Sequence, residues 1–286
     1  MDKNAAHERN ADQAAYWNGP AGRLWTDRQA LQDRLLAPVS AVLFERAAIA
    51  GGEHVLDIGC GCGDTTLAIA KLVGSKGRAI GLDLSAVMLG RARERTPPGA
   101  SIDFVEADAT TYPFEPAASD LLFSRFGVMF FAEPKHSFAN MRKGLKRGGR
   151  VAFVCWREPR QNPWVLVPLQ AATRHVPRLP EMGPEDPGPF AFANQERVRR
   201  ILAEAGFAKI ELAAVDLALD IAVGGGLEAA VHSAVEIGPA SRALQGQPAE
   251  LVAAARESIR EALAPFQKGK SVALGGAVWL VTARNP

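Results

Sequence analysis

Apolar positions along this chain keep two alternating periods. From Ala30 to Ile49 they recur every three or four residues, with Leu31, Leu35, Leu36, Val39, Val42 and Leu43 in register and Gly51-Gly52 behind them. That spacing predicts an amphipathic helix closed by glycine. Beyond it, short apolar runs at 53–58, 78–82, 101–106, 119–125 and 149–156 read as strands. Helical stretches at 64–73, 85–95 and 135–145 separate them, and Ser85 is placed to cap the second. Strands that are apolar throughout and alternate with helices imply a doubly wound α/β fold, its parallel sheet covered on both faces.

The rhythm breaks between Arg157 and Ala193. Eight of the chain's 19 prolines fall there: Pro159, Pro163, Pro168, Pro177, Pro180, Pro184, Pro187 and Pro189. Proline blocks long helices, which leaves room for one short helix near 165–174. A long irregular insert in a compact fold predicts a lid or binding loop. Regular spacing resumes at Asn194, a good N-cap, with Val198, Ile201, Leu202 and Ala205 on one face and Gly206 as the stop. A strand over 210–223, helical segments over 226–237 and 248–264, and a last strand over 272–282 complete the chain. Gly275-Gly276 within that last strand suggests a bulge.

Composition narrows the function. At 286 residues and 48% hydrophobic, the chain can bury one large core. The net charge is only +2, and basic residues sit beside acids, as in Arg91-Ala-Arg93-Glu94-Arg95. That is a solvated helix surface rather than a nucleic-acid-binding face, so no nucleic-acid partner is expected. No apolar run approaches the ~20 residues that would cross a bilayer. The start, Met1 to Arg9, is polar and lacks an apolar signal core, which predicts a cytoplasmic protein. Cys60, Cys62 and Cys155 do not form a disulfide framework. Cys60 and Cys62 lack neighbouring ligands for a metal, and none is expected.

The chemistry concentrates at strand ends, where open parallel sheets bind ligands. After the first strand comes Asp57-Ile-Gly59-Cys60-Gly61-Cys62-Gly63, and the second strand ends at Asp83. Glu106-Ala107-Asp108-Ala109 follows the third, and Ser124-Arg125-Phe126-Gly127 the fourth. A nicotinamide dinucleotide site wants Gly-x-Gly-x-x-Gly with a helix N-terminus facing pyrophosphate. Here the glycines have the wrong spacing, and Asp57 would repel phosphate. S-adenosylmethionine has an ammonium and a sulfonium and no phosphate, so a carboxylate attracts it. Asp83 stands at the distance from the turn at which an acid accepts from a ribose diol.

The segments His54 to Thr66, Gly81-Leu-Asp-Leu-Ser85, Ala107-Asp-Ala109 and Arg147-Gly-Gly-Arg150 resemble successive motifs of class I S-adenosylmethionine-dependent methyltransferases. The resemblance is to the small-molecule branch that includes ubiquinone and menaquinone biosynthesis enzymes. It implies a mostly parallel seven-stranded sheet, Rossmann-like, whose last strand is antiparallel. A single domain over 1–286 is then expected: a helical lead at 1–50, a cofactor-binding core at 51–157, a lid insert at 158–193 and the C-terminal half of the sheet at 194–286. The match puts Gly59, Cys60 and Gly61, with Asp57, at the methionyl moiety and Asp83 on the ribose. It puts Leu84 and Met88 on the adenine, Asp108 and Ala109 at its amino edge, and Arg125 and Phe126 near the sulfonium.

Methyl transfer from a sulfonium is an in-line displacement that asks mainly for alignment in a dry site. The candidate bases are His175 in the insert and His232 in a C-terminal helix, with Arg125 as a further polar group at the reaction centre. Trp25, Met129, Phe130, Trp164, Phe190 and Phe192 are expected to enclose the substrate. No Asn-Pro-Pro-Tyr or Asp-Pro-Pro-Tyr sequence follows the fourth strand, which speaks against the amino-methylating enzymes that act on DNA bases and glutamine amides. The reading is methyl transfer to a small, largely apolar organic molecule, by a monomer or homodimer. The alternative is a non-catalytic S-adenosylmethionine-binding regulatory or partner subunit.

Overall fold

A computed structural model describes residues 3–180, 183 and 185–286; Pro184 of the insert lies outside the described residues. Five parallel strands come first: β1 (His54–Ile58), β2 (Arg78–Asp83), β3 (Ile102–Glu106), β4 (Ser119–Arg125) and β5 (Leu145–Trp156). β6 (Ala208–Asp220) and the long β8 (Ser271–Arg284) finish the sheet, and the two-residue β7 (Gln267–Lys268) forms a hairpin with β8. The order is β3-β2-β1-β4-β5-β8-β6, with β8 antiparallel to both neighbours. The mostly parallel sheet with an antiparallel last strand is therefore present, with one short extra strand. Winding reverses between β1 and β4, so the crevice beyond their C-terminal ends is the expected ligand position.

Burial explains the strands. Val55, Leu56, Asp57 and Ile58 of β1 are all buried, as are Val151 to Trp156 of β5, because helices cover both faces. The covering helices include α3 (Gln29–Ala47), α4 (Asp64–Val73), α5 (Ala86–Glu94), α6 (Pro134–Gly144) and α8 (Gln195–Glu204). α3 turns Leu35, Leu36, Val39 and Leu43 inward, as its spacing predicts. Ser85 caps α5 by accepting from the Met88 amide, and Asn194 caps α8 by accepting from the Glu196 and Arg197 amides.

The lead is helical through α1 (Lys3–Asn18) and α2 (Pro20–Asp27) into α3. Two regions depart from the sequence reading. Gly275 and Gly276 make no bulge: their ladder to Ala218 and Leu217 is unbroken. They serve close packing, since a Cβ at Gly276 would stand 2.6 Å from Leu219 Cδ1 and 3.4 Å from Trp164 Cδ1.

The insert does not arch over the crevice. Its helix α7 (Pro163–Ala172) packs on α10 (Gly238–Leu244) and α11 (Ala249–Leu263). The buried Asn162 fixes its start, accepting from the Ala277 amide at 2.8 Å and donating to carbonyls of Arg157, Glu158 and Ala277. Its far end lies against the interior strand β8, where Trp279 Nε1 donates to the Ala193 carbonyl at 2.7 Å. No helix among the described residues is long and apolar enough to cross a membrane.

Candidate active site

The turn after β1 touches the turn after β4, backbone against backbone. Gly59 has φ +66°, and a Cβ there would lie 2.5 Å from Gly127 Cα. The Gly59 amide donates to the Leu82 carbonyl at 2.8 Å, tying the turn to β2 as well. At Gly61 a Cβ would meet Met88 Cε at 2.7 Å, so a side chain there would fill the space above α5. Three strands thus converge on a cradle of bare backbone.

Asp83 ends β2 inside this cradle. Its Oδ2 accepts from the Gly61 amide at 2.8 Å and its Oδ1 from the Ser85 amide at 2.9 Å. Burial raises its carboxyl above the ordinary aspartate value, and those amides pull it back toward the ionised form. The carboxylate lines the cleft, where it retains acceptor capacity for a hydroxyl donor.

Asp57 sits behind the turn, fully buried, and does not reach the cleft. Its Oδ2 accepts from Thr65 Oγ1 at 2.7 Å and Thr66 Oγ1 at 2.6 Å, which anchors the first turn of α4. Its Oδ1 is buried without a partner. Burial pushes this carboxyl up to about 6, against the two threonine hydroxyls that lower it. A folded-state value above the unfolded 3.8 means the native protein holds this proton more tightly. The group therefore costs stability as pH rises from about 4 to 6, by about 3 kcal/mol in full. Asp57→Asn keeps a carbonyl for the threonines and removes the charge. Denaturant titrations should show the variant gaining on the parent across that pH window; parallel pH profiles would show that Asp57 does not titrate there.

The cleft encloses about 970 Å³, counting its open mouth. Of the residues expected to contact cofactor, Gly59, Cys60, Gly61, Asp83, Leu84, Met88, Asp108, Ala109, Arg125 and Phe126 all line it. Trp25 and Phe130 line it too, from the substrate set. Burial raises the thiols of Cys60 and Cys62, the latter to about 11, so both are neutral wall rather than nucleophiles.

The other expected site residues are elsewhere, each for a visible reason. Met129 is 1% exposed, turned into the core below its 3₁₀ turn. Phe192 is also 1% exposed, packed between Phe138 and Phe153, and Phe190 packs on the same core. Trp164 leans on Trp156 at 5.0 Å, away from the cleft lining. His175 is bonded through Nε2 to Ser258 Oγ of α11 at 2.7 Å. His232 is exposed on α9 (Gly226–Glu236), with Nε2 3.2 Å from Glu236. No histidine lines the cleft among the described residues, which removes both candidate bases.

The roof comes instead from the lead. Asn18 donates to the Leu84 carbonyl and accepts from the Ala86 amide, each at 2.9 Å, and Ser85 Oγ donates to the Trp17 carbonyl at 2.7 Å. These bonds dock the end of α1 on the start of α5. Trp17 then meets Trp25 and Phe130 edge to face, at 5.9 and 5.1 Å between ring centroids. Trp17 and Phe131 line the cleft as well, and Asp33, Leu36 and Asp64 are lining residues that the sequence reading did not single out for the site. Amphipathic spacing in α3 already marked Leu36 as inward, but nothing local in the sequence sets Asp33 apart.

Charge decides which ligand fits. Among the described residues, Asp33, Asp64, Asp83 and Asp108 line the cleft, against one lining guanidinium, Arg125. Arg125 Nη1 is already engaged, donating to Asp64 Oδ2 at 2.8 Å and Ser40 Oγ at 2.7 Å. Asp33 accepts from Arg95 at 2.7 Å, and burial, followed by the neighbouring Asp64, raises its carboxyl. An acidic cradle at the N-terminus of α4 repels pyrophosphate and suits a cationic ligand with an adenosyl group. The donor set fits S-adenosylmethionine.

The comparisons agree. A family model described as a methyltransferase domain matches residues 55–149. The ubiquinone/menaquinone biosynthesis C-methyltransferase UbiE of Erwinia tasmaniensis is 28% identical over 168 residues, which cover 54% of this chain and 66% of that protein. The matched stretch thus spans about two thirds of that relative's length. The 2-phytyl-1,4-naphtoquinone methyltransferase of Thermosynechococcus vestitus is 28% identical over 167 residues, 56% of this chain and 74% of that one. Among solved structures, phosphoethanolamine N-methyltransferase 2 of Haemonchus contortus, in complex with phosphomonomethylethanolamine and S-adenosylhomocysteine, superposes with a TM-score of 0.53. Its identity is 19%, and the match covers 87% of this chain and 52% of that one, a likeness of fold.

Proposed function

With this chain a class I S-adenosylmethionine-dependent methyltransferase resembling UbiE, we propose that it methylates a small, largely apolar organic molecule. The observation that carries the reading is the pairing of four cleft carboxylates with an aromatic roof of Trp17, Trp25 and Phe130. The carboxylates recruit a cationic donor, and the rings exclude water and favour an apolar acceptor. Bound S-adenosylmethionine supplies a methyl group activated by its positive sulfur.

The residues then divide the work. Asp83 accepts from the ribose hydroxyls, Leu84 and Met88 pack on the adenine, and Asp108 with Ala109 meets its amino edge. The glycine turn gives the methionyl end room against bare backbone. Asp33 and Asp64 face its ammonium, and Arg125 holds Asp64 in place. Phe126 floors the reaction centre. With no histidine in the lining among the described residues, the acceptor is one that needs little help losing a proton, such as an acidic or electron-rich carbon. The names of both curated relatives point to quinone methylation, which favours a ring carbon. Three free buried cysteines support a reducing compartment, the cytoplasm.

Incubating the protein with methyl-labelled S-adenosylmethionine and a metabolite extract tests the proposal. The expected result is label in the organic-soluble, low-molecular-weight fraction. Tight cofactor binding with no label in any small molecule would favour the regulatory or partner subunit instead.

A further inference from the structure

We infer that Arg95 is a positioning residue for the cofactor's amino group: it ties Asp33 of α3 to the glycine turn, so that the lead and the turn hold the methionyl end together. This rests on the methyl-transfer reading and gives that site a determinant outside the cleft lining. Arg95 caps the C-terminal end of α5, with its side chain 19% exposed.

One guanidinium makes the tie. Nη1 donates to the Cys62 carbonyl and Nη2 to Asp33 Oδ2, each at 2.7 Å. Arg91, one turn earlier on α5, donates to Gln29 Oε1 at 3.3 and 3.2 Å, and Gln29 Nε2 in turn donates to Asp33 Oδ2. Gln29 and Asp33 stand one turn apart on α3, as Arg91 and Arg95 do at the end of α5. Residues at that spacing share a helix face, so the two helices meet along a polar ladder.

The ladder engages one oxygen of Asp33. Both bonds fall on Oδ2, and no group among the described residues donates to Oδ1. Asp33 lines the cleft together with Cys62 and Asp64, whose Oδ1 is 3.9 Å from the same Nη2 of Arg95. Oδ1 of Asp33 is therefore the oxygen left for a ligand's ammonium. Burial, then Asp64, raises the Asp33 carboxyl, and Gln29 and Arg95 lower it, so the ladder works to keep the acid ionised as well as placed. Placement outweighs net charge here. The methionyl end is a zwitterion, so removing a nearby cation helps its ammonium and harms its carboxylate, and the two effects largely offset.

Calorimetry with adenosylhomocysteine and with methylthioadenosine, which has the same nucleoside but no amino-acid end, tests this. Arg95→Met keeps the apolar stem of the side chain and removes both bonds. It should weaken adenosylhomocysteine about tenfold, the worth of one charge-assisted hydrogen bond, and leave methylthioadenosine within about twofold. Asp33→Asn should show the same split, and the double variant should be little worse than either single one, because both changes remove one contact. Arg95→Lys reaches only one of the two acceptors and should fall between parent and Arg95→Met; it carries the test if the methionine variant does not fold. Equal weakening of both ligands would make Arg95 a tie for the fold alone and overturns the inference, as do additive losses in the double variant. A parent protein that binds neither ligand sinks the methyltransferase reading and this inference with it. A parent that binds both, with their affinity ratio unchanged in the variants, sinks the inference alone.

Discussion

Replacing Asp83 by alanine should weaken adenosylhomocysteine binding by about a hundredfold or more, read by calorimetry. Hydrogen bonds to a charged group are each worth about 1.5–3 kcal/mol, and a ribose diol makes two. The loss has a second source. Asp83 also anchors the Gly61 amide at 2.8 Å, so alanine frees the glycine turn proposed to receive the methionyl end. Asp83→Asn should fall between: it keeps one oxygen for an amide but presents its NH₂ to the other. Binding should also weaken at acid pH. Burial raises this carboxyl, so protonation begins above the ordinary aspartate range and removes the charge proposed to hold the ribose hydroxyls. A loss below tenfold in the alanine variant would mean that the ribose is held elsewhere.

Most of the cleft lining proposed for the cofactor was legible in the sequence because the relevant residues are local. Asp57 to Gly63 are consecutive, and Asp83, Asp108 and Arg125 each stand at or just beyond the end of a strand whose apolar run is unmistakable. A parallel sheet then brings the ends together without further information. Of the roof, Trp25 and Phe130 were expected at the cleft, but the place of Trp17 was not, because α1 is polar with weak amphipathic spacing. Only three bonds from Asn18 and Ser85 decide that Trp17 covers α5 rather than solvent.

The insert misleads for a related reason. Its prolines show where long helices cannot run, but not which side of the molecule the segment takes. Asn162 and the Ala193 carbonyl, each bonded at the β8 side of the sheet, fix that path, and Phe192 follows it into the core. Asp33 joins Asp64 only through tertiary packing of α3 on the turn. A single acid on a helix carries no mark of that destination.

Gly59→Ala tests whether the meeting of the two turns, rather than backbone conformation alone, makes the cradle. Gly59 and Gly52 both have positive φ, +66° and +87°. Alanine in that region costs roughly 1–2 kcal/mol at either position. Only at Gly59 does the new Cβ also collide with backbone, at 2.5 Å from Gly127 Cα; at Gly52 nothing lies within 4 Å. No flexible side chain can yield there, so the turns after β1 and β4 must separate, for about another 1–3 kcal/mol. At roughly 2–4 °C per kcal/mol, Gly59→Ala should lower the melting temperature by about 10 °C and Gly52→Ala by half that or less. Separation of the turns also moves Gly61 away from Phe126, so adenosylhomocysteine binding should collapse in the first variant and persist in the second. Equal melting temperatures and equal affinities would show that the two turns are not a rigid unit, and that the cradle forms only around its ligand.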